Sequence, residues 1–197
     1  METLARPWWS NLPNAISLAR IAAAPFLLAA ALSHNRTYFQ WLLLACLLSD
    51  ILDGWIARTF NLRSPLGAFL DSTADILVQL VTIGGLWTFH KETLVAHSVI
   101  LWVLVAVYLA VLVIAMLRYG RISSFHTVLS RVAAYAQGFC ILSLFFWGYV
   151  GWIFYGAVSL CILACAEELL ILYLIAEWTP DVGGIYWILS KRRASSQ

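Results

Sequence analysis

Charge is what this sequence has least of. Lys and Arg number 12 and Asp and Glu 10, which is 11% of the 197 residues, against roughly 25% in ordinary globular proteins. So few charges cannot cover the surface of a soluble protein while 62% of the residues are hydrophobic. A soluble enzyme and a disordered chain are excluded. A formal net charge of +2 supplies no basic stripe, so no nucleic-acid partner is expected. Cysteine is scarce as well. Cys46, Cys140, Cys161 and Cys165 all sit in apolar runs and read as small buried hydrophobes. Cys161 and Cys165 share a helix face, but no His accompanies them, so they make no metal site. Internal repeats and low-complexity segments are missing too. What remains is an all-α integral membrane protein. At about 20 apolar residues per span, residues 1–197 hold about six helices as a single domain, with no room for an extramembrane one.

Five hydrophobic stretches are plain: Tyr38–Ala57, Leu66–Phe89, Thr93–Leu117, Val132–Val150 and Trp152–Ala176. The first span is less obvious. Ile21–Leu32 is apolar but too short to cross alone, and lengthening it backward brings in Ser17 and Arg20. A signal peptide is the competing reading. The long polar leader and Pro25 within the core favour a spanning helix that carries a buried Arg.

The basic residues set an orientation. In a six-span topology, Arg6, Arg20, Arg58, Arg63, Arg118, Arg121, Arg131, Lys191, Arg192 and Arg193 fall on one side, and Arg36 and Lys91 on the other. This places both termini and the loops 58–66 and 118–131 in the cytoplasm. Trp8, Trp9, Trp178 and Trp187 suit the interfacial aromatic belt. The stretch Trp178–Leu189, with Pro180 and the pair Gly183 and Gly184, reads as a loop and a short surface helix. Asn35-Arg36-Thr37 fits the glycosylation pattern, a motif too short to carry weight.

Ionisable residues inside a membrane are costly and functional by default, and here they are concentrated. Asp50 and Asp53 lie near the cytoplasmic end of the second helix, spaced i, i+3. Asp71 and Asp75 lie near the start of the third, spaced i, i+4. Each pair shares a face, and Gly67 extends the second face by one turn. The short intervening loop makes the two helices antiparallel neighbours, so four carboxylates converge between helices near the cytoplasmic side. They cannot stay ionised together in a low dielectric without cations. Arg58 is the basic residue close in sequence, and oxygen-only ligation points to a hard divalent ion, Mg²⁺ or Mn²⁺. Two such ions are the usual device for phosphoryl transfer. Salt bridging between helices and a proton path are the alternatives.

The run Asp50, Asp53, Gly54, Ala57, Arg58, then Gly67, Asp71 and Asp75 resembles the signature of the CDP-alcohol phosphotransferase family. It agrees at all eight defining positions across residues 50–75. The resemblance implies transfer of a phosphatidyl group from CDP-diacylglycerol to an alcohol with release of CMP, in a homodimer of six-span subunits surrounded by membrane lipids. It implies that Asp50, Asp53 and Asp71 hold two Mg²⁺ (or Mn²⁺) ions on the diphosphate. Asp75 would complete the cluster and act as the catalytic general base. Gly54, Ala57 and Gly67 would let the cytidine approach the backbone, with Asp50 and Arg58 also on the CDP-lipid.

Asn11, Pro13, Asn14, Ser17 and Arg20 resemble the opening of phosphatidylglycerophosphate and cardiolipin synthases. That makes glycerol 3-phosphate the expected acceptor, with phosphatidylglycerol, serine or inositol phosphate as alternatives. Ile76 stands where those enzymes usually have Lys, so the acceptor stays open. A phosphorylated alcohol needs fixed cations. Arg20, Arg118 and Arg131 are the candidates, the last two bordering a loop that contains Arg121, Ser123, Ser124 and His126. The expected location is the cell (inner) membrane, as a multi-pass protein. A small cation transporter is the alternative of a different class, but its carboxylates should run through the membrane depth instead of clustering at one end. Glu167 and Glu168, inside the sixth apolar run, have no assigned role.

Overall fold

The computed structural model describes residues 11–60, 62, 64–119 and 127–174. The described residues form six α-helices and no strand: α1 Leu12–Leu32, α2 Arg36–Thr59, α3 Pro65–Ala96, α4 Ser98–Tyr119, α5 Val128–Phe146 and α6 Gly151–Leu174. All six are long and apolar enough to cross a membrane. They divide into two compact units, one ending at Val95 and the other beginning at Ala96.

The first unit is built on three matched stripes. Buried residues of α1 are Pro13, Ser17, Arg20, Ala24, Leu27, Ala30 and Ala31. Those of α2 are Phe39, Leu43, Cys46 and Asp53, and those of α3 are Ala74, Val78, Thr82 and Gly85. Most successive spacings are three or four, and the gap from Cys46 to Asp53 is seven, or two turns, so each set keeps one face toward the neighbours. In α1 the stripe includes a Ser and an Arg, which explains why a hydropathy reading begins this helix nine residues late. Asn11 precedes it, and Pro13 falls in the first turn, where a missing N–H costs nothing. Pro25 lies inside the helix, a position that membrane helices tolerate.

A three-residue turn joins α1 to α2. His34 takes the left-handed conformation at φ 54° that often closes a helix. The Asn35 side chain then accepts the Tyr38 N–H at 3.1 Å, so the Asn of the glycosylation-like triplet caps α2. Ser64 does the same for α3, its Oγ accepting the Gly67 N–H at 3.0 Å with Pro65 as the first helical residue. Farther along, the Phe39 ring packs on Phe89 at 5.5 Å between centroids, and its tip lies so close to Gly85 that any side chain there would collide with it.

In the second unit α4 packs on α6 through Val111, Ala115, Cys165, Ile171 and Leu172. Cys161 on α6 points its thiol at the Ala133 carbonyl of α5, 3.9 Å away. Both cysteines serve as small packing residues.

Two boundaries differ from the hydropathy reading. The expected span Thr93–Leu117 is divided: α3 bends at non-helical His90 and runs on to Ala96, and α4 starts at Ser98. His97 forms the break. Its carbonyl accepts the Leu101 N–H, and its ring packs on Tyr149 and Phe154 at 4.6 and 4.8 Å. Side-chain packing of this kind leaves no trace in a hydropathy average. The fifth helix lies four residues earlier than Val132–Val150. Thr127 accepts the Ser130 N–H at 3.0 Å and caps its start, while Gly148 at φ 83° follows its end. The tryptophan belt, the 178–189 segment, Arg6, Arg63, Arg121, Ser123, Ser124, His126 and the basic cluster 191–193 lie outside the described residues.

Candidate active site

The first unit gathers its charge where α1 begins, α2 ends and α3 begins. At that end Asp50 and Asp53 from α2 face Asp71 and Asp75 from α3. Between them lies Arg20, reaching in from α1 with only 3% of its side chain exposed. Its Nη1 donates to Asp50 Oδ1 at 2.6 Å and to Asp75 Oδ1 at 2.8 Å. Its Nη2 donates to Asp53 Oδ2 at 2.7 Å and to Asp71 Oδ1 at 2.6 Å. Each terminal nitrogen therefore bridges one carboxylate of α2 and one of α3. These are short charge-assisted hydrogen bonds, and they tie the three helices together. Ser17, one turn before Arg20, lies 3.1 Å from Asp53 Oδ2 as well.

Arg58, the basic residue close in sequence, does not make these pairs. The cation among the carboxylates comes from a different helix, 30 to 55 positions away. Arg58 instead lies along Gly54, with its guanidinium near 3.6 Å from where a side chain on that glycine would begin.

The cluster is open on one side. Asp53 is 5% exposed, whereas Asp50, Asp71 and Asp75 are 41%, 47% and 51% exposed. One oxygen from each of Asp50, Asp53 and Asp71 lies within 4.8 Å of the others. An all-carboxylate donor set on this scale fits a hard divalent cation such as Mg²⁺ or Mn²⁺.

A cavity of about 260 Å³ adjoins the carboxylates. Gly54, Ala57, Arg58 and Gly67 line it together with Asp53 and Asp71, so most of the signature residues share one wall. Asn14, Ser17 and Ser64 contribute polar atoms to the same wall. The sequence reading gave these three no role at the site. For Asn14 and Ser17 the available signal was their place in the N-terminal motif that ends at Arg20. The approach at Gly67 is close: a methyl group there would lie 2.6 Å from Asn14 Oδ1 and 3.0 Å from Ser64 Oγ.

Arg118 and Arg131 are exposed on the last turn of α4 and the first turn of α5. They belong to the second unit and flank a connection that is not described. The structure therefore brings together Arg20 and the four aspartates, and sets Gly54, Ala57, Arg58 and Gly67 beside them.

Residues 10–164 match the CDP-alcohol phosphatidyltransferase family. Among curated proteins, the chain is similar to CDP-diacylglycerol–glycerol-3-phosphate 3-phosphatidyltransferase 2 of Arabidopsis thaliana. The two are 40% identical over 76 residues, covering 37% of this chain and 33% of that protein. It is similar to the CDP-diacylglycerol–glycerol-3-phosphate 3-phosphatidyltransferase of Aquifex aeolicus, with 34% identity over 84 residues, 43% of this chain and 47% of that protein. It is also similar to the cardiolipin synthase (CMP-forming) of Streptomyces coelicolor, with 42% identity over 82 residues, 39% and 38% of the two chains. The matches thus span from a third to about half the length of these curated relatives. No solved structure matches the chain significantly.

Proposed function

The chain belongs to the CDP-alcohol phosphatidyltransferase family, and on that premise we propose that it moves a phosphatidyl group from CDP-diacylglycerol to an alcohol and releases CMP. The observation that carries this reading is the convergence of Asp50, Asp53, Asp71 and Asp75 on one point. That point adjoins a cavity walled by Gly54, Ala57 and Gly67. We assign glycerol 3-phosphate as the acceptor, with phosphatidylglycerophosphate as product. The names of the Arabidopsis and Aquifex relatives support this choice. Phosphatidylglycerol as acceptor is the second reading, favoured by the name of the Streptomyces relative.

In the proposed mechanism Asp50, Asp53 and Asp71 hold two Mg²⁺ or Mn²⁺ ions, with Asp75 completing the set. When bound, the ions supply positive charge to the diphosphate and the departing CMP. The cytidine lies along Gly54, Ala57 and Gly67, where small residues allow backbone approach, and Arg58 contacts the CDP phosphates. Asp75, half exposed at 51%, is reachable by the acceptor and takes the proton of its hydroxyl. Arg20, Arg118 and Arg131 are proposed from the sequence alone as candidate cations for an acceptor phosphate. We read residues 1–197 as one catalytic domain, a reading that the family match through residue 164 supports. The excess of Arg and Lys on one side of the topology supports cytoplasmic termini and a cytoplasmic-side site in the cell membrane. The working unit is proposed to be a homodimer.

The test supplies labelled CDP-diacylglycerol with each acceptor and identifies the lipid formed. Glycerol 3-phosphate should drive CMP release, chelation of divalent ions should abolish it, and Mg²⁺ or Mn²⁺ should restore it. Full activity in excess chelator, or no acceptor-dependent CMP release at all, refutes the assignment.

A further inference from the structure

We propose that Arg20 is a built-in counter-cation of the aspartate cluster, which divalent metal displaces. The idea rests on the reading that the cluster holds metal, and it adds a competition within the chain for that position. All four terminal N–H groups of one guanidinium are taken by four carboxylates at 2.6–2.8 Å. Those carboxylates include Asp50, Asp53 and Asp71, which present one oxygen each within 4.8 Å of one another. The side chain that occupies the middle of the cluster is therefore itself a cation, and it uses the ligands a metal needs.

Charge decides which occupant suits which state. Four carboxylates against one guanidinium leave a formal excess of three negative charges (−4 + 1). One guanidinium moderates the repulsion between α2 and α3 but does not cancel it. Two divalent ions carry four positive charges and match the carboxylates. Ions and guanidinium together would put like charges within a few ångströms of each other at the buried end of the cluster, where the screening is weakest. Arg20 also enters end-on, and its Nε is buried without a hydrogen-bond partner. A guanidinium is fully satisfied when its Nε–H is used in a side-on fork. Here the held position leaves a donor unmet, which weakens the hold of Arg20 on the cluster.

Held among the carboxylates, Arg20 keeps α2 and α3 assembled. When metal enters, the guanidinium leaves the carboxylates while its helix stays beside the cavity, since Ser17 one turn away lines it. A released Arg20 then faces the phosphate groups of the substrates. This accounts for one residue being read both as a phosphate cation and as a partner of the aspartates. Arg20 is in this sense a positioning residue before metal binds.

The experiment measures Mn²⁺ binding to the full chain in detergent by electron paramagnetic resonance, without lipid substrate, alongside thermal melting in chelator and in Mn²⁺. Arg20→Gln should bind Mn²⁺ at least about tenfold more tightly than wild type, the scale of removing one charge from a few ångströms away. It should melt lower in chelator and gain more from Mn²⁺. Arg20→Lys keeps a charge but loses the fork, and should bind Mn²⁺ with intermediate affinity. That variant decides the matter if Arg20→Gln does not fold. Asp53→Asn is the control for the cluster itself. If wild type binds Mn²⁺ and Asp53→Asn abolishes it, the metal reading stands. Equal or weaker binding in the Arg20 variants would then overturn the competition alone. If no form of the protein binds Mn²⁺, both ideas fall.

Discussion

Replacing Gly67 by Ala adds one methyl group, and its consequences follow from two distances. The new carbon would lie 2.6 Å from Asn14 Oδ1 and 3.0 Å from Ser64 Oγ, well inside the roughly 3.5 Å optimum for non-bonded heavy atoms. Ser64 is poorly placed to yield, because its hydroxyl caps α3 by accepting the Gly67 N–H. Asn14 must therefore swing, and both Asn14 and Gly67 line the cavity assigned to the cytidine. Whether the helix shifts or Asn14 turns into the cavity, the strain falls on the nucleotide position. Overpacking of this kind costs about 1–3 kcal/mol, so CDP-diacylglycerol should bind roughly 5- to 150-fold more weakly. Metal binding at Asp50 and Asp53 should change little. The assay is titration calorimetry or competition with labelled CDP-lipid in detergent, on Gly67→Ala, Asn14→Ala and the double variant. If the clash is the cause, removing the Asn14 amide relieves it, and the double variant should bind within about threefold of Asn14→Ala alone. Binding by Gly67→Ala within about twofold of wild type would refute the reasoning. A double variant showing the full sum of both losses would do so too.

Asp75→Asn should lower kcat by roughly 10²–10⁴-fold, the usual size of a general-base contribution, while CDP-lipid binding survives; rescue by extra Mg²⁺ in a metal titration would confine Asp75 to holding metal and exclude it as the base. The neighbouring glycines of α3 should respond in opposite ways, as measured by thermal melting in detergent. Gly85→Ala drives a methyl into the Phe39 ring and should destabilise by about 1–3 kcal/mol. Gly84→Ala meets nothing within 4 Å and should be neutral or stabilising by up to about 1 kcal/mol. Equal melting of the two variants would contradict the packing of α2 on α3.

Much of the fold is legible in composition, because a membrane leaves a helix few options. Every backbone N–H and C=O must be satisfied internally, so apolar runs of about 20 residues become helices whatever their detailed sequence. Five of the six spans announce themselves this way. The errors lie at ends, where hydropathy is silent and local chemistry decides. Thr127 starts α5 among polar residues, and the aromatic packing of His97 divides a run that averages as continuous. The first helix was visible only in part, since Ser17 and Arg20 lower its hydropathy in the same turns that carry its buried stripe.

The carboxylates of the site were legible for a related reason: spacings of three and four put Asp50 with Asp53, and Asp71 with Asp75, on single faces. The cation among them was not, because a search confined to sequence neighbours stops at Arg58. A different argument reaches Arg20. A guanidinium in an apolar helix must find carboxylates. Among the first 95 residues, the acidic ones besides the four aspartates are Glu2 and Glu92. Glu2 precedes the first helix, and Glu92 follows the bend at His90, at the far end of α3. Arg20 sits about two turns into α1, at a depth of roughly 12 Å, and Asp53 and Asp71 lie at similar distances from the ends of α2 and α3. Matching depth with charge therefore selects the aspartates as its partners. The stripe spacing on α1, with Ser17, Arg20 and Ala24 on one face, then points that cation toward the same seam. A buried charge in a membrane helix is best read by asking which opposite charges share its depth, since the two must be desolvated together or not at all.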